Sequence, residues 1–449
     1  MIQLRFATKG QMIVLLALVL VMLLAFAGLA VDVGIAYGVK CKLNSAVDAA
    51  VIAAGRAVSQ GSAAANAQAI DFFNANYPRG LLGATAQVPT TSAVHNGDGS
   101  WTVTVSATAA VPTYFARVVG WRTFNVNASA TSTVRTLDMI LVLDTSGSLN
   151  SPPTTPALLK SAAKQFIQNF DTSSDRIGLV HFASGAVTDV TISTTRGFNL
   201  TTIDNAIDNI DVHGATTSEE AMRLAKTQLD AIPAASQNSL RAIVFFTDGA
   251  PNGVSANYAN GPGTPADLYS ETDLTYCPCG TCRNPLTGDI TAIRMFSYNQ
   301  QDNFINNYCN VSILPATDYT GTVNLASYDN MRTFTMSGGN IVNSRCNVNK
   351  AARNMLENLA NAARSEVSSS PVHVFTIGLG ASLTTQEITF CGYGASEQGS
   401  YILQRLANVQ GVDTYNANQP SGLYAYAADA TQLNNAFNQV ASAILRISQ

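Results

Sequence analysis

The stretch LDMILVLDTSGS, from Leu137 to Ser148, decides the fold of the longer part of the chain. Its apolar run is too short for a helix that ends in Thr-Ser-Gly-Ser, and it predicts a buried parallel strand followed by a loop. Further strands are predicted at residues 176–183, 187–192, 241–248, 372–380 and 424–427, and helices at 157–170, 202–210, 218–231, 350–365 and 431–447. This alternation predicts an α/β fold of Rossmann-like type, with a parallel-sheet core and helices on both faces.

The N-terminal segment is long and apolar enough to cross a membrane. Met12 to Val31 contains no charge, and a helix of this length spans roughly the 30 Å hydrocarbon core of a bilayer. Arg5 and Lys9 precede it, so the positive-inside rule places the N-terminus in the cytoplasm and the bulk of the chain outside. A cleaved signal peptide is the alternative, but the helical pattern continues well beyond this segment and favours a retained, single-pass anchor.

Composition changes along the chain predict three domains and one insertion. Residues 1–60 are expected to form the transmembrane and stalk helix, and residues 61–135 a small α+β domain with alternating strand patterns. Residues 136–449 form the predicted α/β domain. Within it, residues 251–349 are far longer than a normal strand-to-helix connection and contain several cysteines. Because this insertion follows the end of a central strand, we expect it to lie over the ligand-binding edge and set partner choice.

Oxygen-bearing side chains follow three separate predicted elements. Asp144, Ser146 and Ser148 follow the first strand, Thr216 lies in a loop before a helix, and Asp248 ends the fourth strand. In open α/β sheets, ligands bind beyond the carboxyl ends of the strands. Two carboxylates and three hydroxyls form a hard oxygen set, which suits Mg²⁺, Mn²⁺ or Ca²⁺ rather than zinc. With so few protein charges, the ion would keep a coordination position for water or for a carboxylate of another molecule.

This arrangement resembles the metal-ion-dependent adhesion site of von Willebrand factor A (vWA) domains. The shared features are D-x-S-x-S after the first strand, a Thr in a later G-x-T loop and an Asp before Gly after the fourth strand. The resemblance implies a vWA domain that most often holds Mg²⁺. It also implies direct ligation by Ser146, Ser148 and Thr216, with Asp144 and Asp248 acting mainly through water. An Asp or Glu of a protein partner would complete the coordination shell.

The two ends of the chain carry a second resemblance. The segment VDVGIAYGVKCKLNSAVDAAVIAAGRAV after the anchor and the closing GLYAYAADATQLNNAFNQVASAILRISQ are similar to TadG-like tight-adherence (Tad) pilus-assembly proteins. This resemblance implies an anchor in the bacterial inner membrane, a periplasmic or extracellular bulk, and pilus or envelope components as partners. Pilin-like relatives can carry a cleavage Gly and a Glu at the fifth mature position. Here Gly10 is followed by Leu15 at that position, which disfavours processing as a pilin subunit.

The cysteines are expected to form disulfides rather than a metal site. An exported domain meets an oxidising compartment, and three disulfides are expected among six cysteines, which can pair in fifteen ways. The six candidates are Cys277, Cys279, Cys282, Cys309, Cys346 and Cys391. A zinc knuckle at residues 277–282 is the alternative, but no His lies nearby. Cys41 would stay unpaired or link two copies.

Composition and missing motifs exclude several function classes. The net charge is −4 and no long Lys/Arg run occurs, which disfavours a nucleic-acid partner. The chain contains no G-x-x-x-x-G-K-[ST], H-E-x-x-H or G-x-S-x-G motif, so we expect it not to be an enzyme. The favoured hypothesis is a factor of Tad/Flp pilus assembly or adhesion. The alternatives are a metal-dependent adhesin not linked to pili and a metal-dependent hydrolase.

Overall fold

The computed structural model describes residues 8–58, 61–96, 100–183, 185–212, 214, 216–256, 266–269, 293–296, 313–329, 331–342, 344–366, 371–385 and 391–448. Two compact units make up the chain, Met1–Val134 and Arg135–Gln449.

The first unit is a long helix packed on a small antiparallel sheet. Its helices are α1 (Thr8–Ala57) and α2 (Ser62–Asn76), and its strands are β1 (Thr85–Ala86), β2 (Thr90–His95), β3 (Trp101–Pro112) and β4 (Thr123–Val134). Strand β3 pairs with all three others. Alternate residues of β3 are small and buried, and they pack with buried α1 residues such as Leu43, Val47 and Ala50. Small side chains on both elements let the helix approach the sheet closely.

The N-terminal part of α1 is apolar and exposed. The segment Met12–Ala57 is the one helix among the described residues that is long and apolar enough, by length and composition, to cross a membrane. From Met12 to Val31 every residue is exposed except Gly28. Exposed apolar side chains over some twenty residues are unfavourable in water and favourable in lipid. This part of α1 is therefore a candidate membrane anchor.

The second unit is built on a six-stranded sheet. The described strands of the whole unit, which also include two small three-stranded sheets, are β5 (Leu137–Asp144), β6 (Arg176–Phe182), β7 (Ala186–Val190), β8 (Leu240–Thr247), β9 (Gly253–Ala256), β10 (Ala266–Tyr269), β11 (Ile293–Phe296), β12 (Ile313–Leu314), β13 (Met336–Ser337), β14 (Asn340–Val342), β15 (Val372–Leu379) and β16 (Tyr424–Ala427). The main sheet has the order β16-β15-β8-β5-β6-β7. Its neighbours pair in parallel except β6 and β7, which are antiparallel.

Helices cover both faces of this sheet. They are α3 (Thr155–Ile167), α4 (Leu200–Asp208), α5 (Ser218–Asp230), α6 (Arg345–Arg364), α7 (Gly399–Leu406) and α8 (Leu433–Ser448). Successive residues of β5 point to opposite faces, so Leu141 packs in one core with Phe166 and Phe437, and Val142 in the other with Met222. The predicted α/β fold with helices on both faces is confirmed, with one antiparallel strand at an edge.

The last part of the insertion is anchored to the helices by a buried guanidinium. Arg332 donates to Glu357 at 2.6 Å, to Asn354 at 2.8 Å and to Glu397 at 3.0 Å. All four side chains are buried. Charge-assisted hydrogen bonds shielded from water hold their partners firmly, so this end of the insertion is part of the folded unit.

A disulfide stabilises the same region. Cys346, in α6, is bonded to Cys391, with Cα atoms 5.3 Å apart. Cys41 is exposed and free on α1. The other four disulfide candidates, Cys277, Cys279, Cys282 and Cys309, lie outside the described residues.

Replacing both Cys346 and Cys391 by Ser should destabilise the second unit by roughly 2–4 kcal/mol, because the disulfide closes a long loop and restricts the unfolded chain. Urea unfolding of the detergent-purified protein under non-reducing conditions measures this loss. Cys41→Ser removes a free, exposed thiol and is the matched control. Equal stability of the double variant and the control would contradict the prediction.

Candidate metal centre

Three loops meet at the carboxyl edge of the main sheet. Strands β5 and β8 are parallel neighbours, with Leu143 opposite Phe246, so Asp144 and Asp248 leave the sheet side by side. The loop before α5 is tied to this edge, because the Gly147 N–H donates to Gly214 at 3.0 Å. The edge thus collects residues separated by about a hundred positions in the sequence.

Two serine hydroxyls converge on one carboxylate oxygen. The Ser148 hydroxyl donates to Oδ1 of Asp248 at 2.8 Å, and the Ser146 hydroxyl lies 3.5 Å from the same oxygen. The two hydroxyl oxygens are 3.0 Å apart. Ser146 and Asp248 are buried, whereas Ser148 is exposed. Three of the five predicted ligands are therefore in direct contact, and solvent reaches them from the side of Ser148.

Asp144 lies behind these residues and is fully buried. Its Oδ1 accepts a hydrogen bond from the Ser146 N–H at 2.7 Å, and its Oδ2 accepts one from the Thr247 hydroxyl at 2.5 Å. Burial raises the pKa of the Asp144 carboxyl to about 6, although the hydrogen bonds from Thr247 and Ser146 act in the opposite direction. A nearby cation would oppose the effect of burial and favour the ionised carboxylate.

Thr216 is held at the same edge by its backbone. Its N–H donates to the Asn252 side-chain oxygen at 2.8 Å, and its carbonyl accepts from the Asn252 N–H at 3.1 Å. The following N–H, of Thr217, donates to Ala183 at 2.8 Å. The Thr216 hydroxyl takes no part in the hydrogen bonds that join the two serines to Asp248.

The chemistry of these side chains fits a hard divalent cation. Carboxylate and hydroxyl oxygens suit Mg²⁺, Mn²⁺ and Ca²⁺. Among the described residues no group of three or more His, Cys, Asp and Glu could hold a metal ion. A cation here would attract the lone pairs of Ser146 and Ser148, whose protons would then turn away from Asp248.

Three supporting residues were missed by sequence reasoning. Thr247 donates to Asp144, Asn252 holds the backbone of Thr216, and the Ser382 hydroxyl donates to the Asp248 carbonyl at 2.6 Å. Thr247 and Asn252 lie close to Asp248 in the sequence and could have been suspected as its neighbours. Ser382 follows a distant strand and carries no motif.

Two segments of the chain match profiles of known families. Residues 139–250 match the von Willebrand factor type A domain, and residues 10–65 match the putative Flp pilus-assembly TadE/G-like family. The chain joins a TadE/G-like segment to a vWA domain. These matches confirm the predicted vWA domain and the TadE/G-like resemblance of the N-terminal segment. The vWA match spans all five predicted metal ligands, whose binding of an ion stays a prediction.

Three solved structures show a distant similarity to the chain. The PilB minor pilin from Streptococcus sanguinis is 12% identical, with 83% of this chain and 81% of that chain covered and a TM-score of 0.42. The pilus adhesin SpaC from Lactobacillus rhamnosus GG is 15% identical, with 80% and 34% covered and a TM-score of 0.39. The vWF domain of the type V pili tip protein Mfa5 from Porphyromonas gingivalis is 16% identical, with 71% and 98% covered and a TM-score of 0.38. No curated protein sequence matches the chain.

Substituting Thr247→Val should destabilise the vWA domain by roughly 1–3 kcal/mol, because the buried Asp144 carboxylate loses a hydrogen-bond donor while the side-chain volume is kept. Urea unfolding without divalent ions measures the effect. Thr384→Val is the control, since that exposed hydroxyl donates only to a nearby carbonyl. A loss no larger than that of the control would count against the role given to Thr247.

Proposed function

We propose that this chain is a membrane-anchored, extracytoplasmic vWA protein of Tad/Flp pilus assembly or adhesion that binds a protein partner through a divalent cation. The observation that carries the proposal is the convergence of the Ser146 and Ser148 hydroxyls on the Asp248 carboxylate at the sheet edge. The TadE/G-like segment at the N-terminus supports a pilus-related role in the cell envelope.

In this proposal each residue at the edge has a separate task. Ser146, Ser148 and Thr216 supply neutral hydroxyl oxygens to the ion, most often Mg²⁺. Asp144 and Asp248 act mainly through water and supply the negative charge that attracts the cation. Two carboxylates balance the charge of one divalent ion, and neutral hydroxyls add none. The remaining coordination position accepts an Asp or Glu carboxylate from the partner.

Partner choice is assigned to the insertion. Its first residues touch the candidate site, because the Asn252 side-chain oxygen accepts a hydrogen bond from the Thr216 N–H. Its last part is fixed by Arg332. A carboxylate that approaches the exposed Ser148 would therefore pass beside the insertion. The role proposed is binding rather than catalysis, in keeping with an adhesion-type domain.

Asp248→Ala and Asp144→Ala should each abolish Mg²⁺-dependent stabilisation of the vWA domain. A ligand at about 100 times its Kd stabilises the folded state by ~2.7 kcal/mol, and both variants should lose this gain because the site loses half its charge. Thermal unfolding with Mg²⁺ and with EDTA measures it. Asp171→Ala is the control, since this exposed carboxylate precedes β6 at the opposite end of the sheet. An unchanged metal response in both site variants would refute the metal site.

Partner binding should require both the metal and Asp248. We expect immobilised full-length protein to retain an envelope protein from detergent extract in Mg²⁺ but not in EDTA, and Asp248→Ala to retain none, because the partner carboxylate needs the ion. Quantitative mass spectrometry of the eluates, with Asp171→Ala as the control, measures this. Equal capture by the wild type in Mg²⁺ and EDTA would contradict metal-mediated binding.

A further inference from the structure

A loop of the first unit exposes a cluster of large apolar side chains. We call residues 113–122, between β3 and β4, the interface loop. It contains Tyr114 and Phe115, each 52% exposed, Val118 at 85%, Val119 at 79% and Trp121 at 65%. Large exposed apolar patches on soluble surfaces mark contact sites. These five side chains are large and apolar, whereas the exposed positions of the small sheet are mostly Ser, Thr and Asn. The interface loop is therefore a candidate contact site.

The conformation of the interface loop is fixed by its backbone. Residues Ala116–Val119 form a single 3₁₀ turn. The Trp121 N–H donates to the Ala116 carbonyl at 3.1 Å, and the Thr113 N–H donates to the Arg122 carbonyl at 3.1 Å. Gly120 has φ of 98°, a left-handed conformation that closes the turn. The apolar side chains thus project from an ordered turn.

Asp32 ties this loop to α1. Its carboxylate accepts three backbone hydrogen bonds, from Tyr114 at 2.8 Å, Phe115 at 3.0 Å and Ala116 at 2.7 Å. Asp32 is 1% exposed and immediately follows the uncharged segment that ends at Val31. Three charge-assisted hydrogen bonds to one carboxylate form a strong tether. The interface loop is therefore held where α1 leaves its apolar segment.

A glycine places the loop beside the apolar segment itself. A Cβ atom on Gly28 would lie 2.6 Å from the Phe115 ring, so the ring packs directly on the helix backbone. Gly28 is also the buried position within Met12 to Val31. It precedes Asp32 by four residues, which is about 6 Å along a helix. The Phe115 ring thus lies at the level of the last turn of the apolar segment.

We propose that the interface loop inserts into the interfacial region of the non-cytoplasmic leaflet of the lipid bilayer that α1 crosses. Its height along α1 is fixed by Asp32 and Gly28, and at that height the surroundings of the helix are lipid. Trp and Tyr are enriched where apolar rings meet headgroups. Arg117 and Arg122 are exposed on the same loop and suit headgroup phosphates. The proposal rests on the membrane anchoring in the proposed function.

Insertion of the loop would give the first unit two attachments to the bilayer. A lone membrane helix can rotate about its axis and change its tilt. A helix joined to an inserted loop is restricted in both, because the loop must stay at the level of the headgroups. The unit would then stand in a defined orientation on the membrane. This role is independent of the candidate metal centre.

The experiment uses the single tryptophan that remains after one substitution. The chain has two tryptophans, so Trp101→Phe leaves Trp121 alone. This full-length variant is reconstituted in phosphatidylcholine–phosphatidylglycerol vesicles with and without acyl chains brominated near the headgroup. Bromine quenches only a nearby indole, and we expect loss of Trp121 fluorescence together with a blue-shifted emission. The matched variant Trp121→Phe keeps Trp101 as the single tryptophan. Trp101 lies at the other end of β3 from Pro112, the residue that precedes the interface loop, and eleven strand residues separate the two by about 36 Å. We therefore expect no quenching of Trp101.

Glycine variants test how the loop is seated. Gly28→Leu in the Trp101→Phe background should displace Phe115 and reduce the quenching of Trp121. Gly34→Leu is the control, because a Cβ atom there has nothing within 4 Å. Equal quenching in both glycine variants would contradict the seating on Gly28.

Vesicle flotation separates the possible failures. Protein that floats with the vesicles while Trp121 stays unquenched would overturn the interface loop proposal, and would mean that protein, such as a second copy, covers these side chains. Protein that does not float would overturn the membrane anchor, and with it the proposed function.

Discussion

The carboxyl edge of the main sheet is organised by the need to satisfy a buried carboxylate. Asp144 is fully buried at the end of β5, and burying a charge is costly unless hydrogen bonds or an ion compensate it. The Ser146 N–H meets this need by turning back toward Asp144, and the turn brings Ser146 and Ser148 to the edge. The second donor, Thr247, comes from β8, so the parallel pairing of β5 and β8 is what completes the environment of Asp144.

In the proposed function, the burial of the Asp144 carboxylate also favours the binding of a cation at this edge. Asp144 ends β5, and Asp248 follows β8, the parallel neighbour of β5. Burial disfavours the ionised form of Asp144, and a divalent ion would oppose this effect because its charge offsets those of both carboxylates. The serine hydroxyls cannot do so, since they are neutral and supply only oxygen atoms. Because the proposed direct ligands are neutral hydroxyls and the two carboxylates act mainly through water, the ion would remain attractive to a carboxylate from another molecule.

The sequence was sufficient for features that depend on local patterns. The apolar run of β5 predicted a buried strand. Because parallel strands end at the same edge of a sheet, the sequence also predicted that Asp144 and Asp248 lie close together. The antiparallel pairing of β7 was not predicted, although the three residues between Phe182 and Ala186 are too few for a parallel crossover. Helix α6 begins earlier than predicted because Ser344 caps it, accepting from the Asn347 N–H at 3.3 Å.

Contacts between distant residues were beyond sequence reasoning. Thr247 is adjacent to Asp248, but its role toward Asp144 depends on the register of β5 against β8. The Cys346–Cys391 pairing joins residues 45 positions apart, and spacing alone leaves fifteen possible arrangements. The tether between Asp32 and Tyr114 crosses 82 positions and uses backbone N–H groups, which every residue type except Pro offers. Such contacts leave no motif in the sequence.

Exposure at the candidate metal centre indicates the side from which a partner would approach. Asp144 and Ser146 are buried, and Ser148 is the exposed member of the set. The backbone of Thr216 is held by Asn252, and the residues that follow Asn252 form the buried strand β9, so this side of the edge is occupied by the start of the insertion. A partner carboxylate would therefore reach the ion beside Ser148. In the proposed function the metal supplies the attraction, and the insertion determines which carboxylate can come close enough to use it.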